Sequence, residues 1–261
     1  MDNEKGAVVA AASLKALLAK LIDYAGLYPP AALPLDRTLA NYRGYLASPD
    51  SWILNRLVLP SSLLAGALAA EPGLHISLLV DGENGPFPPA VETLETRRPG
   101  RLSLPTYCEA PLDRVEGAFA KVRTGGVVPE SIPSTRDLAA FLEQAAMRRV
   151  AFKATAGLHH PIRSLRPLTY APASPRALMH GFVNVFAAAS LAWHGAGRQT
   201  LTAVLEEEDP AAFRFSDDAM RWRDIRLAAD QITDARRRFA HGFGSCSFEE
   251  PVAALRDFGW L

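Results

Sequence analysis

Lys153 is the residue of this sequence best placed to do chemistry. It stands in the stretch Val150-Ala-Phe-Lys-Ala-Thr-Ala-Gly-Leu-His-His-Pro161, which reads as a buried strand, a glycine turn and a polar loop stopped by proline. Alternate residues of a strand face opposite sides. Ala151, Lys153 and Thr155 therefore share one face, and Val150, Phe152 and Ala154 share the other. Phe152 suits packing against helices, which turns Lys153 inward where the strand ends. A buried unpaired ammonium is costly, so a lysine there is either paired or chemically employed. A neutral amine attacks carbonyl carbon, and clustered cations favour the neutral form. Lys121 and Arg123, two residues apart on the run Ala120–Thr124, are the expected cations. Asp23 and Glu109 are the expected anions and proton carriers. Thr155 would orient a substrate hydroxyl.

Each of these residues also has a plain structural reading. Lys153 can be an ion-pair lysine, Lys121 and Arg123 anion anchors, and Asp23 a helix cap. His159 and His160 follow the lysine strand as loop or lid residues and proton-transfer candidates. Neighbouring side chains diverge, and neither HExxH nor HxH spacing occurs, so no metal site is expected there. A metal-dependent alternative would draw its ligands from Glu109, His159 or His160, and His241. Cys246, between serines after a glycine turn, reads as a small packed residue rather than a nucleophile.

To converge, these groups need a scaffold that brings many strand ends to one rim. Strand-like runs occur at Leu21–Ala25, Ile53–Leu59, Leu74–Val80, Leu102–Cys108, Ala120–Thr124, Val150–Thr155 and Phe239–Cys246. Thr200–Leu205 is the expected seventh strand, with Phe182–Phe186 as its rival, and a helix is expected around Ala90–Glu95. Ser134 starts a capping-box-like helix to Arg148, and Ser216 is expected to cap another to about Arg238. Eight strands, each followed by a helix or its remnant, imply one (β/α)8 barrel domain over residues 1–261, with an N-terminal helix. A doubly wound open sheet is the alternative, but no GxGxxG or Walker-type loop supports it. In a barrel, reactive groups sit at the C-terminal strand ends. The proline-rich connections 161–175 and 210–215 are expected to cover that rim.

Composition narrows the partners. Lys+Arg and Asp+Glu are 28 each, so no overall field attracts nucleic acid or an acidic membrane surface. Two cysteines give no disulfide framework, which fits a reducing cytoplasm. The opening Met1–Gly6 is too acidic for a signal peptide, and the alanine-rich Ala7–Leu18 is expected to be a helix, not a membrane segment. The expected partner is a small anionic molecule, with a homo-oligomer as a further option.

Four short matches, in order, resemble the class I aldolases of the deoxyribose-phosphate aldolase type. Leu21-Ile-Asp23-Tyr-Ala-Gly-Leu27 resembles that family's "IDxTxL" opening, and Leu57-Val-Leu-Pro60-Ser-Ser-Leu63 its second strand. Phe152-Lys153-Ala-Thr155-Ala-Gly157 resembles the "KTSTG" segment, whose lysine forms the Schiff base. Gly242-Phe-Gly244-Ser245-Cys246-Ser247 resembles the glycine/serine turn of strand eight, which helps to hold phosphate. The resemblance implies a barrel lyase using Lys153 on a small anionic carbonyl compound, with Gly244 and Ser245 at the anion and no organic cofactor. The family's second lysine and glycine pair on strand seven have no counterpart here. A barrel that binds a small anion without chemistry is the remaining alternative.

Overall fold

Eight strands close into a parallel barrel: β1 (Ile22–Tyr24), β2 (Leu54–Pro60), β3 (Ile76–Leu79), β4 (Val91–Thr96), β5 (Thr106–Glu109), β6 (Phe119–Arg123), β7 (Ala151–Thr155) and β8 (Ala240–Ser245). A computed structural model of the chain describes residues 10–82, 85–98, 100, 102–115 and 119–261. The strands pair in chain order and β8 returns to β1, giving the (β/α)8 architecture expected from the sequence. Helix α1 (Ala12–Leu18) precedes the barrel, α2 (Leu35–Leu46) follows β1, and α3 (Leu64–Ala70) follows β2. Helix α4 (Thr135–Met147) joins β6 to β7, and α8 (Glu249–Asp257) follows β8. Ser134 caps α4, its side chain accepting from the backbone N–H of Asp137.

The count of eight strands is right, but two assignments behind it are not. Residues 91–96, expected to be helical, form β4, so the strand expected at Leu102–Cys108 is the fifth and not the fourth. Both expectations for a strand between Lys153 and the last strand fail. Phe182–Trp193 is helix α5, and Thr200–Leu205 lies in helix α6 (Arg198–Glu206). Helix α5 is buried all round, and α6 buries Leu201, Val204 and Leu205, which fall at helical spacing. The helix expected from Ser216 begins later, as α7 (Ala229–Arg238). Residues before it form an antiparallel sheet of Phe213–Phe215, Ala219–Trp222 and Ile225–Ala228.

An aromatic cluster fastens the lysine strand from outside. Phe152 packs against Phe141 of α4, Phe186 of α5 and Phe239, with ring centroids 5.6, 6.2 and 5.0 Å away. Phe243 on β8 stacks on Phe182 at 5.5 Å. Phe152 outside forces Lys153 inside, as the alternation requires. The segment 161–175 lies at the C-terminal rim, where Tyr170 meets Cys246 just past β8. Segment 210–215 does not. It starts near Glu208, which pairs with Arg163, but runs away from the rim: Phe215 packs on Trp260 beyond the end of α8, and the Ser216 carbonyl accepts from the Ser13 N–H of α1. Among the described residues, no helix is long and apolar enough to cross a membrane.

Candidate active site: a charge ladder inside the barrel

Barrel interiors of this class are usually filled by layers of branched apolar side chains. Here the central layer is charged. Lys153 Nζ lies 2.5 Å from Asp23 Oδ2 and touches Glu95 Oε1. Lys121 Nζ is 2.8 Å from the other oxygen of Glu95, Oε2, and 3.4 Å from Glu109 Oε2. Arg123 Nη2 closes the series, 2.8 Å from Glu109 Oε1. The order Asp23, Lys153, Glu95, Lys121, Glu109, Arg123 alternates in sign and is neutral as a whole. Strand register builds it. Lys121 is the Cα partner of both Lys153 and Glu109, while Asp23, Gly244, Thr155 and Arg123 form a second row across β1, β8, β7 and β6.

Hydrogen bonds fix the carboxylates. The backbone N–H of Arg56 donates to Asp23 Oδ1 at 2.9 Å. Ser77 Oγ donates to Glu95 Oε1 at 2.7 Å and accepts from Thr93 Oγ1 at 3.0 Å. Asp23, Glu95 and Lys153 are each 2 % exposed and Lys121 is 7 % exposed, so the ions are out of water. Desolvating an ion costs several kcal/mol, and only paired, hydrogen-bonded geometry offsets it. A polar interior kept at that cost marks a candidate site.

The expected depression of the Lys153 pKa is corrected by this geometry. Burial does lower it, but the carboxylates of Asp23 and Glu95 outweigh burial and raise it well above the ordinary lysine value. Lys121 turns its charge to Glu95 and Glu109, not to Lys153. Burial pushes Glu95 up, yet Lys153 and Lys121 hold it far below the usual carboxylate range. Glu109 is lowered likewise: burial raises it, and Lys121 with Arg123 more than reverses that.

Two further features open the ladder to the rim. Thr155 and Gly244 are half-buried, and a Cβ built at Gly244 would meet only Thr155 Oγ1, at 3.9 Å, so there is room above Lys153. On the loop after β1, the hydroxyl of Tyr28 is buried with no hydrogen-bond partner among the described residues. Burial, and next the charge of Glu95, raise its pKa, so it remains a donor. Beside these, a cleft of about 460 Å³ is lined by Arg97, Glu109, Arg123, Glu130 and Ser131. The loops after β6 and β7 touch each other. A Cβ on Gly125 would fall 2.8 Å from Gly157 Cα, and Gly157 has φ +79°, a conformation glycine adopts freely.

Of the residues singled out from sequence, Asp23, Glu109, Lys121, Arg123 and Lys153 come together, with Thr155 and Gly244 above them. Ser245 does not join them, since it shares the outward face of β8 with Phe243. His159 and His160 belong elsewhere. His159 Nδ1 pairs with Glu250 at 2.8 Å, while burial and then Arg166 push the His160 pKa down to about 4. His241 bonds the Tyr107 hydroxyl at 2.7 Å. The ligands of the metal-dependent alternative thus lie in three networks. Among the described residues, no group of three His, Cys, Asp or Glu side chains could hold a metal ion. Glu95 and Tyr28 were missed. Glu95 sat in a presumed helix, although the β-branched Val91, Thr93 and Thr96 signal a strand; Tyr28 carries no sequence signal.

Fold and site together define a parallel (β/α)8 barrel with a buried ladder of alternating charges. No protein-family model, curated protein or solved structure matches the chain.

Proposed function

We propose that the protein is a lyase of the aldolase type, in which Lys153 forms a Schiff base with a small anionic carbonyl compound. One observation carries this reading: the Lys153 amine is seated between Asp23 and Glu95 inside the barrel, beneath the half-open Thr155 and Gly244. Two carboxylates that favour a cation at Nζ favour the ammonium, and they favour an iminium at the same place. The iminium is the electron sink that carbon–carbon cleavage or formation needs. Asp23 touches Nζ and is the group placed to take its proton before attack. Glu95, held ionised by two lysines, keeps the cation in place. Water leaves as the carbinolamine collapses, and the positive charge on nitrogen is conserved.

In this scheme Thr155 and Tyr28 offer hydroxyls to the substrate's oxygens. Arg123, whose side chain is 41 % exposed, faces the substrate's anion at the rim. Glu109 positions Lys121 and Arg123 in place of moving protons. The scheme needs no organic cofactor. A second reading, a barrel that binds an anion without chemistry, is favoured by Arg97 and Arg123 on the same cleft.

Borohydride reduction separates the two. The protein is incubated with short hydroxy-aldehydes and keto acids, reduced, and digested for mass spectrometry. The peptide containing Lys153 should gain the mass of the reduced adduct, and Lys153→Ala should abolish it. Since Lys153 is held as the ammonium, labelling should accelerate as pH rises through the alkaline range. Labelling scattered over surface lysines, or none on Lys153, sinks the Schiff-base reading.

A further inference from the structure

A second cluster of reactive side chains stands at the rim of β8, outside the charge ladder. Cys246 follows the last residue of β8. Its sulfur is 3.9 Å from His159 Nε2, and His159 Nδ1 is 2.8 Å from Glu250 Oε2. Glu250 lies in the first turn of α8, so strand, loop and helix contribute one residue each. The Tyr170 hydroxyl lies 3.8 Å from the same sulfur. Cys246 and His159 are buried, whereas Tyr170 is 57 % exposed and forms the outer cover. The order thiol, imidazole, carboxylate is the arrangement in which a base activates a nucleophile and a third group orients the base. None of these residues has a part in the Lys153 scheme.

We propose that Cys246 is a nucleophilic thiol site, with His159 as its activating partner and Glu250 as the orienting carboxylate, taking small uncharged electrophiles beneath Tyr170. The Nδ1 bond to Glu250 turns the other ring nitrogen of His159 towards sulfur. In the reaction, sulfur forms a bond to an electrophilic carbon and the leaving group departs with its electron pair. The thiol proton goes to solvent, and His159, held as the imidazolium by Glu250, turns Nε2–H to the sulfur and stabilises the attacking thiolate. Glu250, paired with the far nitrogen of His159, adds negative charge to the cluster and disfavours anionic reagents, which is why the class is uncharged. Cys246 is buried, as expected of a small packed side chain, and the proposal adds a chemical role to that place.

Iodoacetamide tests it on the full-length protein. A carbon–sulfur bond forms, iodide leaves, and peptide mass mapping counts each cysteine separately. Cys108, half-buried on β5, is the internal reference. At neutral pH Cys246 should be alkylated at least tenfold faster than Cys108, although it is the more buried. His159→Asn should slow Cys246 tenfold or more with Cys108 unchanged, and Tyr170→Ala should speed it. Should His159→Asn also expose Cys108, revealing a loosened fold, Glu250→Gln is the decisive variant: Cys246 must slow while Cys108 does not. Alkylation that follows exposure, with Cys108 first, overturns the proposal. So does a Cys246 rate unmoved by loss of the imidazole or of its carboxylate.

Discussion

The barrel has two unlike sectors. From β3 to β6 the strands are joined by residues 80–90, 97–105 and 110–118, and no helix lies in these connections among the described residues. From β7 to β8 the chain runs through residues 156–239, with a hairpin of Ser164–Pro167 and Arg176–Met179, three helices and a three-stranded sheet. The ladder bridges these sectors. Lys153 stands on the helix-backed side, held by the Phe152 cluster, while Glu95 and Glu109 stand on the bare side. One partner is thus positioned by apolar packing and the other by charge and hydrogen bonds. The contrast teaches that the ladder is also a tie: its cations join the inward carboxylates of β4 and β5 to β6 and β7.

Four outcomes would break or sharpen that contrast. Phe152→Ala should cost most, about 3–5 kcal/mol in urea denaturation, because a fully buried ring between three aromatic neighbours leaves a cavity. If Leu94→Ala on the bare side costs as much, the two sectors are equally packed and the contrast fails. Glu95→Gln should cost about 3 kcal/mol, since it leaves two buried lysines short of an anion. Hydrogen exchange in that variant should rise first in β4 and β5. A uniform rise would show that the ladder does not tie the bare side.

The acid limb comes next. Glu95 and Glu109 have folded pKa values below their unfolded ones, so their stabilisation is complete above about pH 4.3, the ordinary glutamate value. It is lost as pH falls through the folded values. Melting temperature against pH should therefore drop less on acidification in Glu95→Gln than in the native chain. The smallest effect is alkaline. Burial lowers the His159 pKa, but its bonds to Cys246 and Glu250 raise it to about 9. Its contribution is full below about pH 6.5, the unfolded value, and lost as pH rises through about 9. His159→Asn should flatten the stability profile across that window; an unchanged slope would remove His159 from the charge balance.

On the helix-backed side the lysine strand was legible in the sequence, because its signals are local, whereas the helices and sheet between it and β8 were misassigned. The strand at Val150–Thr155 alternates cleanly and its parity places Lys153 inward as observed, and the parity of Ala120–Thr124 does the same for Lys121 and Arg123. Asp23 is placed by the rule that reactive groups stand at the C-terminal ends of barrel strands. On the bare side one strand, β4, was misread. Val91-Glu-Thr-Leu-Glu-Thr96 carries two glutamates on a strand, and glutamate disfavours strands unless something pairs it. What pairs Glu95 are lysines on β6 and β7, far away in sequence, so the reason for the strand is tertiary. Thr200–Leu205 fails conversely: its threonines and valine favour a strand, but packing against α4 and α5 makes it helical.

The contact of Gly125 with Gly157 carries a stereochemical consequence. With the loops after β6 and β7 in backbone contact, a molecule heading for Lys153 has no path between them, and on the Schiff-base reading it comes over Gly244 and Thr155. A carbonyl compound arriving there offers the amine one of its two faces. On the Schiff-base reading, any carbon–carbon bond made in this barrel would then be of a single handedness, selected by two residues that have no side chain.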